Sequence, residues 1–168
     1  MATTVVSNFI TSAESTSLQI GKEEAGSVKG ISTSIATGGA LTDNSVIAMC
    51  TIPVDANILS IRHWSDDLGT TGDLNLGFYP GNIVASTMAV ADTVDEDALA
   101  TAVDVNAAAL ADVELRYEVL DINTGGQKAW ELAGLSAKPA YDTFHIAYTL
   151  SEATTAGGDI TMNVTYIS

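Results

Sequence analysis

The side chains with most scope for chemistry in this chain are two histidines, one cysteine and a run of acidic residues between 92 and 97. Cys50 is the sole cysteine, so no disulfide can form within the chain. A reactive thiol needs a basic or histidine neighbour to favour the thiolate. The run Val46-Ile-Ala-Met-Cys-Thr-Ile52 offers none, and Cys50 is expected to be a small buried hydrophobe. His63 shares the alternation of Leu59 and Ile61 and is expected in the core. His145 alternates with Phe144 and Ile146 and should face away from that core. His63, Asp66 and one of many serines could be drawn as a hydrolytic triad, but nothing in their spacing positions them. Asp92, Asp95, Glu96 and Asp97 could offer oxygen ligands to calcium, yet they lack the glycine and spacing of a calcium loop. A nucleophile elbow, a phosphate loop, a dinucleotide fingerprint and histidine pairs at metal spacing are all missing from the sequence. No catalytic residue, metal or cofactor is therefore expected.

The elements that would position these residues are mostly strands. Ile160, Met162, Val164 and Tyr166 alternate with Thr161, Asn163 and Thr165, the pattern of a strand with one buried face. A second alternating run, 144–150, precedes it across Gly157-Gly158, and the two are expected to close the chain as a hairpin. Further strands are expected at 31–35, 46–52, 57–64, 73–79 and 113–119, with a shorter one around 83–88. Gly38-Gly39, Pro53, 65–72, Pro80-Gly81-Asn82 and Gly125-Gly126 punctuate them. Thr93 and Glu96 have capping-box spacing, and a short helix is expected over 95–102, with another turn or two in 106–111. A second short helix is expected over 128–134, with Gly134 just past its end and Trp130 plugging one end of the fold. The expected fold is all-β: a β-sandwich or jelly roll of about eight antiparallel strands, with one or two short helices in connections.

Composition narrows the function classes. The chain has 168 residues, 46% of them hydrophobic, enough for a core without metals or disulfides. It carries 21 acidic and 6 basic residues, a net charge of −15. Such a surface repels phosphates, so neither nucleic acid nor an anionic membrane is an expected partner. Met1-Ala-Thr-Thr-Val-Val lacks the basic and apolar regions of a signal peptide, and assembly in a cytoplasm is expected. Residues 1–30 are rich in Ser, Thr and Glu and read as an N-terminal arm or leader, with 31–168 as the β-sandwich domain. Val5, Val6, Phe9 and Ile10 are the arm's apolar positions and the candidate partner-binding residues. Strand addition to a neighbour's sheet edge is one mode open to them. Trp64 and Tyr79 fall on strand faces opposite the Leu59 and Leu74 sets. Burial is the favoured reading for both; exposed, they could stack on sugars.

Three stretches together resemble a family. They are Ile58-Leu-Ser-Ile-Arg-His-Trp-Ser-Asp-Asp-Leu-Gly-Thr-Thr-Gly-Asp-Leu-Asn-Leu-Gly77, Gly126-Gln-Lys-Ala-Trp-Glu-Leu-Ala-Gly-Leu135, and 141–150 followed by 154–168. In this order they are similar to small virion structural proteins of tailed bacteriophages, of the capsid decoration (cement) type. The resemblance covers roughly 46–168 and brings no catalytic residues with it. It implies a protein that decorates and stabilises the outer surface of a phage capsid, with the major capsid protein and copies of itself, as a homotrimer, for partners. A tail or fibre component binding host-surface glycan is the alternative, and a non-viral binding module a more distant one.

Overall fold

A computed structural model describes residues 4–6, 27–106, 108–116 and 124–168. Among them, nine strands form two sheets. They are β1 (Thr4–Val6), β2 (Val28–Ala36), β3 (Val46–Pro53), β4 (Asn57–Ser65), β5 (Asp73–Pro80), β6 (Asp95–Asp104), β7 (Leu110–Glu114), β8 (Thr143–Leu150) and β9 (Asp159–Ile167). One sheet runs β1-β3-β8-β5-β6 and the other β2-β9-β4-β7. Apart from the short parallel β1–β3 pair, every pairing is antiparallel.

The pairing follows one rule. β2 meets β9, β3 meets β8, β4 meets β7, and β5 meets β6. The chain is thus one long antiparallel hairpin with its tip between β5 and β6, rolled so that successive pairs alternate between sheets. That is the eight-stranded jelly roll, which buries two inner faces against each other. It also corrects the expected closing hairpin. β8 and β9 lie in different sheets, each flanked by other strands, and do not pair. Gly157 and Gly158 serve the crossing instead. A side chain at Gly157 would strike the backbone of Thr37 and Gly39.

The inner faces supply the core. Ile58, Ile61, Met162, Val164 and Ile160 pack from the four-stranded sheet, and Met49, Leu74, Leu76, Phe78, Phe144, Ile146 and Tyr148 from the other. The Phe78 and Phe144 rings meet at a tilt of 41°, with centroids 5.0 Å apart. Leu59 is not among these residues, contrary to the alternation expected at 57–64. The β4–β9 register shifts between Ile58 and Ser60, so Leu59 is a bulge and Ile58 takes the inward place. The Glu114 carboxylate backs the bulge: it accepts the Ile61 N–H at 2.8 Å and the Ser60 hydroxyl.

The helix expected over 95–102 is instead β6. β5 is paired with β8 on one side and needs a backbone partner on the other, which β6 supplies. Its weak alternation comes from two register shifts against β5 and a left-handed Ala102, φ 51°. No side chain fits at Gly77, because the Asp95–Glu96 backbone passes directly over it. The expected short strand around 83–88 is a 3₁₀ turn, Ala85–Thr87, followed by a second, Val90–Asp92. The expected turns in 106–111 give way to β7 from Leu110, and residues 117–119 of the strand expected there lie outside the described residues. The second expected helix is present as α1 (Ala129–Leu132). The Glu131 carboxylate accepts the Lys128 N–H at 2.7 Å, and Gly134 closes the helix at φ 68°. α1 docks on the β3–β4 turn through the Ala129 and Trp130 N–H groups, and Trp130 is half-buried against the core.

Candidate functional site

The histidines are structural members of the sandwich. His63 is fully buried on the inner face of β4, and its Nδ1 lies 2.6 Å from the Tyr148 hydroxyl across the core. Burial lowers its pKa to about 4 and raises that of Tyr148. The imidazole is therefore neutral near pH 7 and shut off from solvent. Asp66 lies on the surface, with its carboxylate accepting the Asp159 N–H at 2.9 Å, so no relay joins it to His63. Cys50 is buried in the opposite sheet, and desolvation pushes its thiol up to about 12. An inert thiol is the result.

His145 points from β8 to the outer side of the five-stranded sheet. Its Nε2 donates to the Ile83 carbonyl at 2.9 Å, which leaves Nδ1 to accept from the Thr51 hydroxyl at 2.8 Å. It thereby ties down the β5–β6 connection, residues 81–94, which lies across that face. Beneath the connection a small second core forms from Val46, Ala48, Tyr79, Ala147, Ala85 and Met88, with Ile83 and Val90 against it. Tyr79 is fully buried there, and its hydroxyl meets Thr149 Oγ1 at 2.7 Å. Sequence reasoning put His145 on the correct face but missed the strap that covers it. The buried, near-continuous apolar run of β8 is the signal that both faces of that strand are dry.

The acidic residues do not converge on a cation. Among the described residues no three His, Cys, Asp or Glu side chains are arranged to hold a metal. Asp92 accepts the Ala89 N–H at 2.9 Å and closes the second 3₁₀ turn. Burial, and then the neighbouring Asp97, hold Asp95 above the usual carboxylate range.

The outer face of the four-stranded sheet is built differently. Ser32 and Ser34 of β2 and Thr161, Asn163 and Thr165 of β9 carpet it with hydroxyls and an amide. Ser34 and Thr161 are 2.8 Å apart, and Asn163 Nδ2 donates to Ser32 Oγ at 2.7 Å. Trp64 is half-buried on the same side, and Arg62 pairs with Asp112 at the β7 edge. The other described cations also meet partners within the chain. Lys128 and Lys138 share Asp55, Arg116 Nε donates to the Ile58 carbonyl at 2.8 Å, and Lys29 Nζ to Ser168 Oγ at 2.7 Å. The excess charge left on the surface is acidic.

Of the four candidate partner-binding residues, Val5 and Val6 lie on β1, opposite Ile47 and Ala48 of the chain's own β3. This is the intramolecular counterpart of strand addition between neighbours. Phe9 and Ile10 lie outside the described residues.

No protein-family model matches the sequence, and no curated protein matches it. Among solved structures, the chain is similar to one in the capsid of Ralstonia phage GP4. That chain is 18% identical, with a TM-score of 0.62, and the match covers 98% of this chain and 97% of that one. A chain of the cyanophage Pam1 capsid asymmetric unit is 21% identical, with a TM-score of 0.42, covering 92% of this chain and 94% of that one. The first likeness is one of fold and runs end to end.

Proposed function

We propose that this protein is a non-enzymatic virion structural protein that decorates the outer surface of a phage capsid. The observation that carries the reading is the two-way, nearly full-length fold likeness to a chain from a phage capsid. A partial overlap would mean only a shared jelly roll, which many unrelated proteins use. Three features support it. The histidines and the cysteine are packed as structure. The described cations are engaged within the chain, so the surface is acidic and suited to standing away from packaged DNA. Among the described residues the surface depressions are shallow and open, which suits contact with other proteins more than capture of a small molecule.

Its mechanism would be added contact area at many equivalent joints between copies of the major capsid protein, resisting pressure from within. Val5, Val6, Phe9 and Ile10 are proposed to contribute to that contact. The rival glycan-binding reading is weakened by Tyr79, which is buried and cannot serve as a sugar platform.

The test mixes the purified protein with heads that lack it, followed by cryo-electron microscopy and head melting. The expected result is density at repeated sites on the outer surface and a raised melting temperature. A chain lacking 1–26, which spares β2 but removes β1 from beside β3, should keep the wild-type circular dichroism spectrum but bind heads weakly. Absence of full-length protein from the heads, with density on the tail, would replace this reading by the fibre alternative.

A further inference from the structure

Four strands form the edges of the two sheets, and three of them are guarded. β1 is three residues long. β6 carries Asp95, Glu96, Asp97 and Asp104, shifts register twice against β5, and kinks at Ala102. β7 has five residues, with an exposed Asp112 at φ 58°. Shortness, charge and irregularity are the devices that stop an edge from recruiting another strand. β2 is neither short nor irregular, and it carries no acid. It is nine residues long and pairs with β9 through nine consecutive residues without a bulge. It contains no proline and no acid, and its one charge, Lys29, is turned toward Ser168. Among the described residues no strand lies on its other side.

We propose that β2 pairs edge to edge with β2 of a second copy of this chain, joining two four-stranded sheets across a two-fold axis. The occupant follows from charge and register. A surface with a net charge of −15 repels its own kind almost everywhere, and an acid-free strand is where two copies can meet. An antiparallel pair centred on Ser32 sets Val28 against Ala36, Lys29 against Ile35, Gly30 against Ser34 and Ile31 against Thr33. No like charges face each other, and Val28, 63% exposed in the single chain, gains an apolar partner. The contact is isologous and closes on itself, so it yields a dimer and not a fibre. The homotrimer that the resemblance implies is the competing outcome of the test. The pairing is a property of the protein in solution and goes beyond any role on a shell.

Sedimentation velocity of the full chain at low and high salt tests it, alongside Ser32→Lys, Ser34→Lys and Ala111→Lys. Ala111 is an exposed residue of the guarded β7 edge. Each substitution reduces the acidic excess by one charge, so general repulsion falls in all three. The expected result is a wild-type dimer strengthened by salt, which screens the repulsion. Both serine variants should be monomers, and Ala111→Lys should remain a dimer. Hydrogen exchange provides a readout free of any variant: β2 amides should gain protection as protein concentration rises. A wild-type chain that stays monomeric in high salt, forms a trimer, or dimerises equally well with Ser32→Lys in place would overturn the proposal. So would β2 protection that ignores concentration.

Discussion

The two outer faces of the sandwich differ in kind. On the five-stranded sheet, Val46, Ala48, Tyr79 and Ala147 are apolar or aromatic and lie beneath the 81–94 strap. On the four-stranded sheet, Ser32, Ser34, Thr161 and Asn163 form a hydrogen-bonded carpet of small polar groups, with no strap over it among the described residues. A strand covered on both sides must be apolar on both, whereas a strand covered on one side alternates. β8 and β9 show the two cases within one short stretch of chain. The difference gives one outer face a second core and leaves the other uncovered among the described residues.

The largest expected effect tests whether the sheet with the polar outer face is dry within. His63 is buried on its inner side, and its pKa in the folded protein is about 4, below the ordinary 6.5. The folded state therefore binds fewer protons than the unfolded state between those values. Stability from this residue is complete above about pH 6.5 and falls as pH drops toward 4, by about 3 kcal/mol in all. Denaturant melts of wild type and His63→Gln should show this. Glutamine can keep the Tyr148 hydrogen bond but does not titrate, so wild type should lose about 3 kcal/mol relative to the variant between pH 7 and pH 4. Parallel curves would mean that water reaches the imidazole.

The next effect belongs to the strapped face. Met88 is 1% exposed between the strap and the sheet. Met88→Ala should cost about 2–3 kcal/mol in equilibrium unfolding, as truncation of a buried methionine does. The smallest belongs to the polar face, where Asn163→Ala should change stability by less than about 0.5 kcal/mol. If the Met88 variant cost no more than the Asn163 variant, the strap would not be a second core, and the contrast between the faces would fail.

Much of the sandwich was legible in residue order. The alternation of β9 and the punctuation at Pro53 and Pro80 each report a local constraint, whereas 144–150, read as alternating, is buried on both faces. What was hidden depended on partners far along the chain. The Ala98–Ala102 stretch has helical propensity, and its pairing with β5 overrides it. Leu59 kept the expected period but sits at a bulge backed by Glu114, more than fifty residues away in sequence. β8 and β9 looked like a hairpin because a glycine pair divides them, and only the rolled topology separates them. The candidate site was less legible still. Tyr79 and Trp64 have similar sequence settings, yet the strap buries one and leaves the other partly exposed. An edge without guards can be recognised only once the order of strands is known.

The decoration role is tested most directly by the copy number of this chain in purified virions, measured by quantitative mass spectrometry against the major capsid protein. A decoration role predicts a copy number comparable with that of the major capsid protein, unchanged when tails are removed from the heads. A copy number far below the major capsid protein's that leaves with the tail fraction, or absence of the chain from the virion, would contradict it.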